Sequence, residues 1–142
     1  MANLSSLARR MRSLKREIAD YRIRVKREVT LEMLHYLTNI TPVDTSLAIS
    51  NWQVRFGGDG RIIEAHLEGE YGSTKSFSSQ VANNFGELVL RELRPESVVT
   101  LYNYTPYIEQ LDAGKSAQAQ DFVKGAIMRG RAKIGAVPWK NV

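Results

Sequence analysis

The chain has 142 residues, 43% apolar and 25% charged, with no cysteine and a net charge of +5. That length suits one domain with a real core, and the missing cysteine excludes disulfide frameworks, thiol catalysis and cysteine-based zinc sites. No apolar run reaches membrane-spanning length, and arginines interleave the first apolar residues, unlike a signal peptide. Synthesis in a reducing cytoplasm, with no membrane partner, is expected.

The charge is segregated. Residues 1–30 hold nine Lys/Arg against three Asp/Glu, residues 31–123 hold six against twelve, and residues 124–142 hold five against none. Two basic ends around an acidic middle suit a subunit that docks head-to-tail on its own copies or bridges unlike partners. A solvated charged surface is the plainer reading.

Leu4, Leu7, Met11, Leu14, Ile18, Tyr21 and Val25 recur at alternating steps of three and four, which makes one narrow stripe on a helix. Val29, Met33, Tyr36, Leu37 and Ile40 continue it, and neither glycine nor proline intervenes before Pro42. One helix over residues 4–40 is predicted, flanked by Arg9, Arg10, Arg12, Lys15, Arg16, Arg22, Arg24, Lys26 and Arg27. A stripe this narrow suits a helix that reaches beyond the domain onto a partner. A membrane-surface role fits poorly, because the stripe holds no Trp or Phe.

TPVDTSLAISNW at 41–52 then breaks the pattern. Thr41 before Pro42 disfavours helix, and Asp44 or Thr45 can cap a short restart. Trp52, Val54 and Phe56 alternate with Gln53 and Arg55, a strand with one buried face. Gly57-Gly58-Asp59-Gly60 reads as a turn, and Ile63, Ala65 and Leu67 as the return strand of a hairpin. Residues 71–77 read as a loop. Val81, Phe85, Leu88, Val89 and Leu93 mark a second amphipathic helix ending near Pro95. Residues 97–103 (SVVTLYN) read as a third strand, 107–111 as a short edge strand, and 117–134 as a last helix. The fold class is therefore α+β: a long N-terminal helix, a small mostly antiparallel sheet and two further helices. One core is expected from Trp52, Val54, Phe56, Ile63, Ala65, Leu67, Phe85, Leu88, Val99, Leu101 and Phe122.

Signals for chemistry are weak. AGKS at 113–116 lacks the glycine a phosphate loop needs at position 109, which is Glu109, and Ser116 serves better as a helix cap. The glycines at 57, 58 and 60 precede no helix and fit a hairpin turn better than a dinucleotide fingerprint. His35 and His66 have no partner at metal-ligand spacing. Glu68 and Glu70 share a strand face but no recognisable cleft, and the serines have no nucleophile-elbow context. No catalytic, cofactor or metal residue is assigned.

Two blocks carry a resemblance. TPVDTSLAISNWQV at 41–54 and NYTPYIEQLDAGKSAQAQDFVKGAI at 103–127 resemble, in order and spacing, two boxes of the tail-completion (neck) proteins of tailed bacteriophages. The matching positions are Pro42, Asp44, Thr45 and Trp52, then Asn103, Pro106, Tyr107, Leu111, Gly114, Ser116 and Gln118. Ser46 replaces the family's usual Gly, Ala48 its frequent Arg, Asp112 its Glu and Gln120 its common Pro. The resemblance spans roughly 40–135, and it divides the chain into a basic helical arm and helix at 1–40, a tail-completion-like domain at 41–135 and a tail at 136–142.

The resemblance implies a non-enzymatic virion component, made in the bacterial host cytoplasm and placed at the neck or tail end. It implies a homo-oligomeric ring, hexameric rather than dodecameric, joining the capsid connector to the tail beside other neck, portal-adaptor or tail-tube proteins. DNA would pass through the ring without sequence-specific binding. The interface expected from the first helix comprises Leu7, Met11, Leu14 and Ile18, with Arg9, Arg12, Arg16 and Arg24 meeting acidic surface. The rival reading is a nucleic-acid-binding module that uses the basic helix.

Overall fold

The computed structural model describes residues 3–41, 47–57, 75–105, 108–113 and 121–139. Helix α1 runs unbroken over Leu4–Ile40, about 55 Å at 1.5 Å per residue. Asn3 starts it by accepting from the N–H of Ser6 at 2.8 Å. Thr41 ends it: its N–H and its hydroxyl both donate to the carbonyl of Leu37, at 3.0 and 2.5 Å. A helix end leaves such carbonyls without partners, and Thr41 supplies one.

The elements that follow are α2 (Leu47–Ser50), β1 (Gln53–Arg55), α3 (Lys75–Leu90), β2 (Thr100–Tyr102), α4 (Ile108–Asp112) and α5 (Phe122–Ala136). The fold is α+β, mostly helical, with a small antiparallel sheet of β1 and β2. Val54 pairs with Leu101, Gln53 with Tyr102 and Arg55 with Thr100. Side chains reinforce that register, because the Tyr102 hydroxyl donates to Oε1 of Gln53 at 3.2 Å and accepts from Nε of Arg55 at 3.1 Å.

The core boundary falls inside α1. Leu34 and Leu37 are buried, and Ile23, Leu31, Met33, Tyr36 and Ile40 pack around them. Two different faces of the helix are covered there. α3 lies on one, through Ala82 and Gly86, and a Cβ on Gly86 would collide with the side chain of Leu34. Thr38 stitches the same pair: its hydroxyl accepts from Nδ2 of Asn83 at 3.1 Å and its carbonyl from the hydroxyl of Ser79 at 3.0 Å. α5 lies antiparallel along the other face, its Gly125 against the Tyr36 ring and its Gly130 against Met33 and Val29. Missing side chains at those two points let the backbones approach closely.

Several expectations change. Phe85 and Leu88 are 50% and 52% exposed, because α3 buries the face carrying Ala82, Gly86 and Leu90 instead. The segment expected as an edge strand at 107–111 folds as helix α4 over Ile108–Asp112. The third strand contracts to Thr100–Tyr102: the Ser97 carbonyl accepts from Nζ of Lys26 at 2.6 Å, as does that of Pro95 at 2.5 Å, so this stretch is bound to α1. The second helix begins earlier than its apolar residues suggest, at Lys75. The last helix begins at Phe122, after Asp121 in a left-handed conformation (φ 54°). Ile63, Ala65 and Leu67, the expected return strand, lie outside the described residues, as do His66, Glu68 and Glu70.

Trp52 is 5% exposed, and Val54 and Phe122 are buried with it. The indole N–H donates to the hydroxyl of Thr41 at 2.8 Å, and the ring meets Phe122 edge-on with centroids 6.3 Å apart. Trp52→Ala is expected to cost about 3–5 kcal/mol of stability, whereas Leu88→Ala is expected to stay within about 1 kcal/mol of the parent. Urea unfolding followed by circular dichroism measures both, and a near-parental midpoint for Trp52→Ala would remove Trp52 from the core.

Candidate docking site on the N-terminal helix

The apolar stripe of α1 is continuous, but its covering is not. From Tyr21 to Tyr36 the stripe is the seat of α5 and of the segment after it. Before Tyr21 it is bare: Leu7, Met11, Leu14 and Ile18 are 52%, 63%, 51% and 44% exposed, and Leu4 more so. A lone amphipathic helix gains little stability in water from its apolar face unless something packs on it. Arg9, Arg12 and Arg16 are exposed beside the stripe. These seven residues share one exposed arm of α1.

Arg24 does not belong to that arm. Its Nη2 donates to the carbonyls of Pro138 and Trp139, both at 2.5 Å, and its guanidinium lies 5.5 Å from the centre of the Tyr21 ring. Tyr21 in turn packs against Trp139, with centroids 4.9 Å apart, and its hydroxyl donates to the carbonyl of Val137 at 3.3 Å. Val137 is buried. The residues expected to meet a partner's acidic surface therefore lose one member, because the chain's own C-terminal segment occupies it. Tyr21, Arg24, Val137 and Trp139 form a clasp at the root of the arm. The sequence offered only an aperiodic tail there, GAVPWKNV, in which the aromatic among small residues was the one signal.

The antiparallel seat of α5 also bears on the charge layout: the basic residues of α5 run along the part of α1 around Val29–Tyr36, while Arg9, Arg12, Lys15 and Arg16 stand exposed on the arm beyond it. Among the described residues the single ion pair within 4.0 Å joins Arg129 to Glu32, at 3.9 Å and largely exposed, an arrangement that contributes little. Arg129 also lies 4.9 Å from the centre of the Tyr36 ring. These groups line an open groove of about 590 Å³ with Met128 and Lys133, comparable in size to a small-molecule pocket. His35 borders the adjoining hollow beside Asn39. Among the described residues no group of three or more His, Asp or Glu could hold a metal ion, and no helix is long and apolar enough to cross a membrane.

The two sequence blocks meet in space. Asn103 donates from Nδ2 to the carbonyl of Ala48 at 2.6 Å while its Oδ1 accepts from the N–H of Thr105 at 3.0 Å. Trp52, from the first block, touches Phe122, from the second. Asp112 closes the second block on itself: its carboxylate accepts from the N–H of Val123 at 3.1 Å and its carbonyl from that of Asp121 at 2.8 Å. A carboxylate there opposes the positive end of α5. Ala48 and Asp112 were missed as structural positions, although each lies inside a block, and Thr41, read only as a helix stop, also bonds the indole of Trp52. Leu111 sits in α4, and Pro42, Asp44, Thr45, Pro106, Tyr107, Gly114, Ser116 and Gln118 lie outside the described residues. No protein-family profile, curated protein or solved structure matches the chain.

The clasp fixes where the arm can be cut. A chain lacking residues 1–19 is expected to keep the parental thermal midpoint while losing association with its partner, measured by calorimetry and light scattering of the mixed components. A chain lacking residues 1–25 loses Tyr21 and Arg24 as well and is expected to melt lower. Unfolding of the shorter deletion would show that the arm is part of the core.

Proposed function

We propose that the protein is a non-enzymatic structural component of a tailed-bacteriophage virion. In this reading it forms a homo-oligomeric ring at the head–tail junction or tail end, between the capsid connector and the tail. The observation that carries the reading is the meeting of the two resembling blocks at one junction, through Asn103 with Ala48 and Trp52 with Phe122. Residues distant in sequence that make one structural joint are what a shared signature of a single fold requires.

The bare stripe supports the same reading from the other side. Leu7, Met11, Leu14 and Ile18 supply apolar area, and the flanking arginines orient the docked arm, since exposed ion pairs contribute only about 0–1 kcal/mol each. Neighbouring subunits, other neck proteins, portal adaptors or tail-tube proteins are the partners this reading names. Head-to-tail contacts of this kind generate a ring when the rotation closes.

The test is symmetry in the assembled state, because isolated subunits can stay monomeric until a partner templates them. Cryo-microscopy of particles carrying the protein is expected to show a closed ring, six-fold in preference to twelve-fold. A monomer or a two-fold dimer in those particles would overturn the proposal.

A further inference from the structure

The basic residues of the arm are not spread evenly around it. At 100° per residue, Arg9, Arg12 and Arg16 follow one another at steps of three and four, with Lys15 and Arg22 on the adjoining row seven apart. All five are exposed. Between them the same side of the helix carries Ser5, Ala8 and Ala19, which are small. The carboxylates Glu17 and Glu28 fall on the opposite flank of the apolar stripe, and Asp20 borders the cationic side. None of the five cations has a carboxylate within 4.0 Å among the described residues.

We infer that this side of α1 is a contact surface for the phosphate backbone of double-stranded nucleic acid. From Arg9 to Arg22 the cations extend about 20 Å along the helix, which suits a linear polyanion with regularly spaced charges. Small residues between the cations let a backbone approach without obstruction. The contact reads no sequence, because Arg and Lys at a phosphate fix position only, and this side offers no Asn or Gln to base edges. The apolar residues of the stripe stay available for protein contact, because none of them lies on the cationic side; Arg9, Arg12 and Arg16 at its edge can serve either surface. The inference does not depend on ring formation.

The test is a fluorescence anisotropy titration of the full chain with short duplex DNA of mixed sequence, repeated between about 50 and 200 mM salt. Micromolar or weaker binding is expected, with a log–log salt slope of about −3 to −5 and no preference between duplexes. The variant R12Q/K15Q/R16Q is expected to flatten that slope by about three, because each lost phosphate contact removes roughly one counterion. The variant L7Q/M11Q/L14Q is expected to retain duplex binding while failing to associate with protein partners, which separates this inference from the ring proposal. Circular dichroism verifies that both variants keep their helix. Absent duplex binding at the lowest salt, an unchanged slope in R12Q/K15Q/R16Q, or binding to phosphatidylserine vesicles but not to duplex would each overturn the inference.

Discussion

The hydroxyl of Thr41 joins two parts of the molecule. It donates to the carbonyl of Leu37 and accepts from the indole N–H of Trp52. One group thereby ends the long helix and fixes the residue that leads into the sheet. The indole depends on it, since a buried indole donor is costly to leave unpaired, whereas the Leu37 carbonyl also accepts from the Thr41 N–H. Serine could make the same two bonds, but threonine's β-branch restricts its rotamers. With Trp52 fixed, Phe122 packs edge-on against it, and that places the start of α5. The position of α5 along α1 then decides which part of the stripe is covered.

Much of this was legible from residues. The uninterrupted three-and-four spacing gave α1 its limits and Thr41-Pro42 marked its end; the alternation at 52–56 marked the strand Gln53–Arg55 beside buried Trp52, but not its single buried face, because Gln53 is buried along with Val54. The failures have separate causes. Large apolar residues were read as the inward face of α3, whereas the helix approaches Leu34 through Ala82 and Gly86, residues that carry almost no hydrophobic signal. Close approach is encoded by what is absent from a side chain, and a periodicity of bulky residues cannot register it. Segment 107–111 failed differently: its β-branched and aromatic content suggested a strand, but five residues are too few for propensity to override tertiary placement. Asp112 shows a third case, because a cap is recognisable from sequence only when it lies next to the helix it serves, and this one lies ten residues before Phe122.

The site was legible in part for a related reason. Residues of the free arm obey only the geometry of their own helix, so their exposure follows from spacing alone. Arg24 obeys a neighbour that spacing does not reveal, the segment 137–139 returning from the far end of the chain. The same return lays α5 and its basic residues along the C-terminal half of α1, while the basic residues of the arm stay clear of it. Linear charge patterns constrain a surface only after the contacts between sequence ends are known.

A mechanical property follows from α1 being one piece. Over 37 residues it holds no glycine and no proline, the usual sites of a kink, so it carries no built-in hinge between its tip and Thr41. Its lower half is gripped on two faces, by α3 and α5, while its upper half is a cantilever whose fulcrum is the clasp at Tyr21 and Arg24. A sideways force on the tip is thus transmitted as torque to that fulcrum before it reaches the buried end. The side chains that bear it, Tyr21 and Arg24 of α1 and Trp139 of the returning segment, are the compliant element of an otherwise stiff lever.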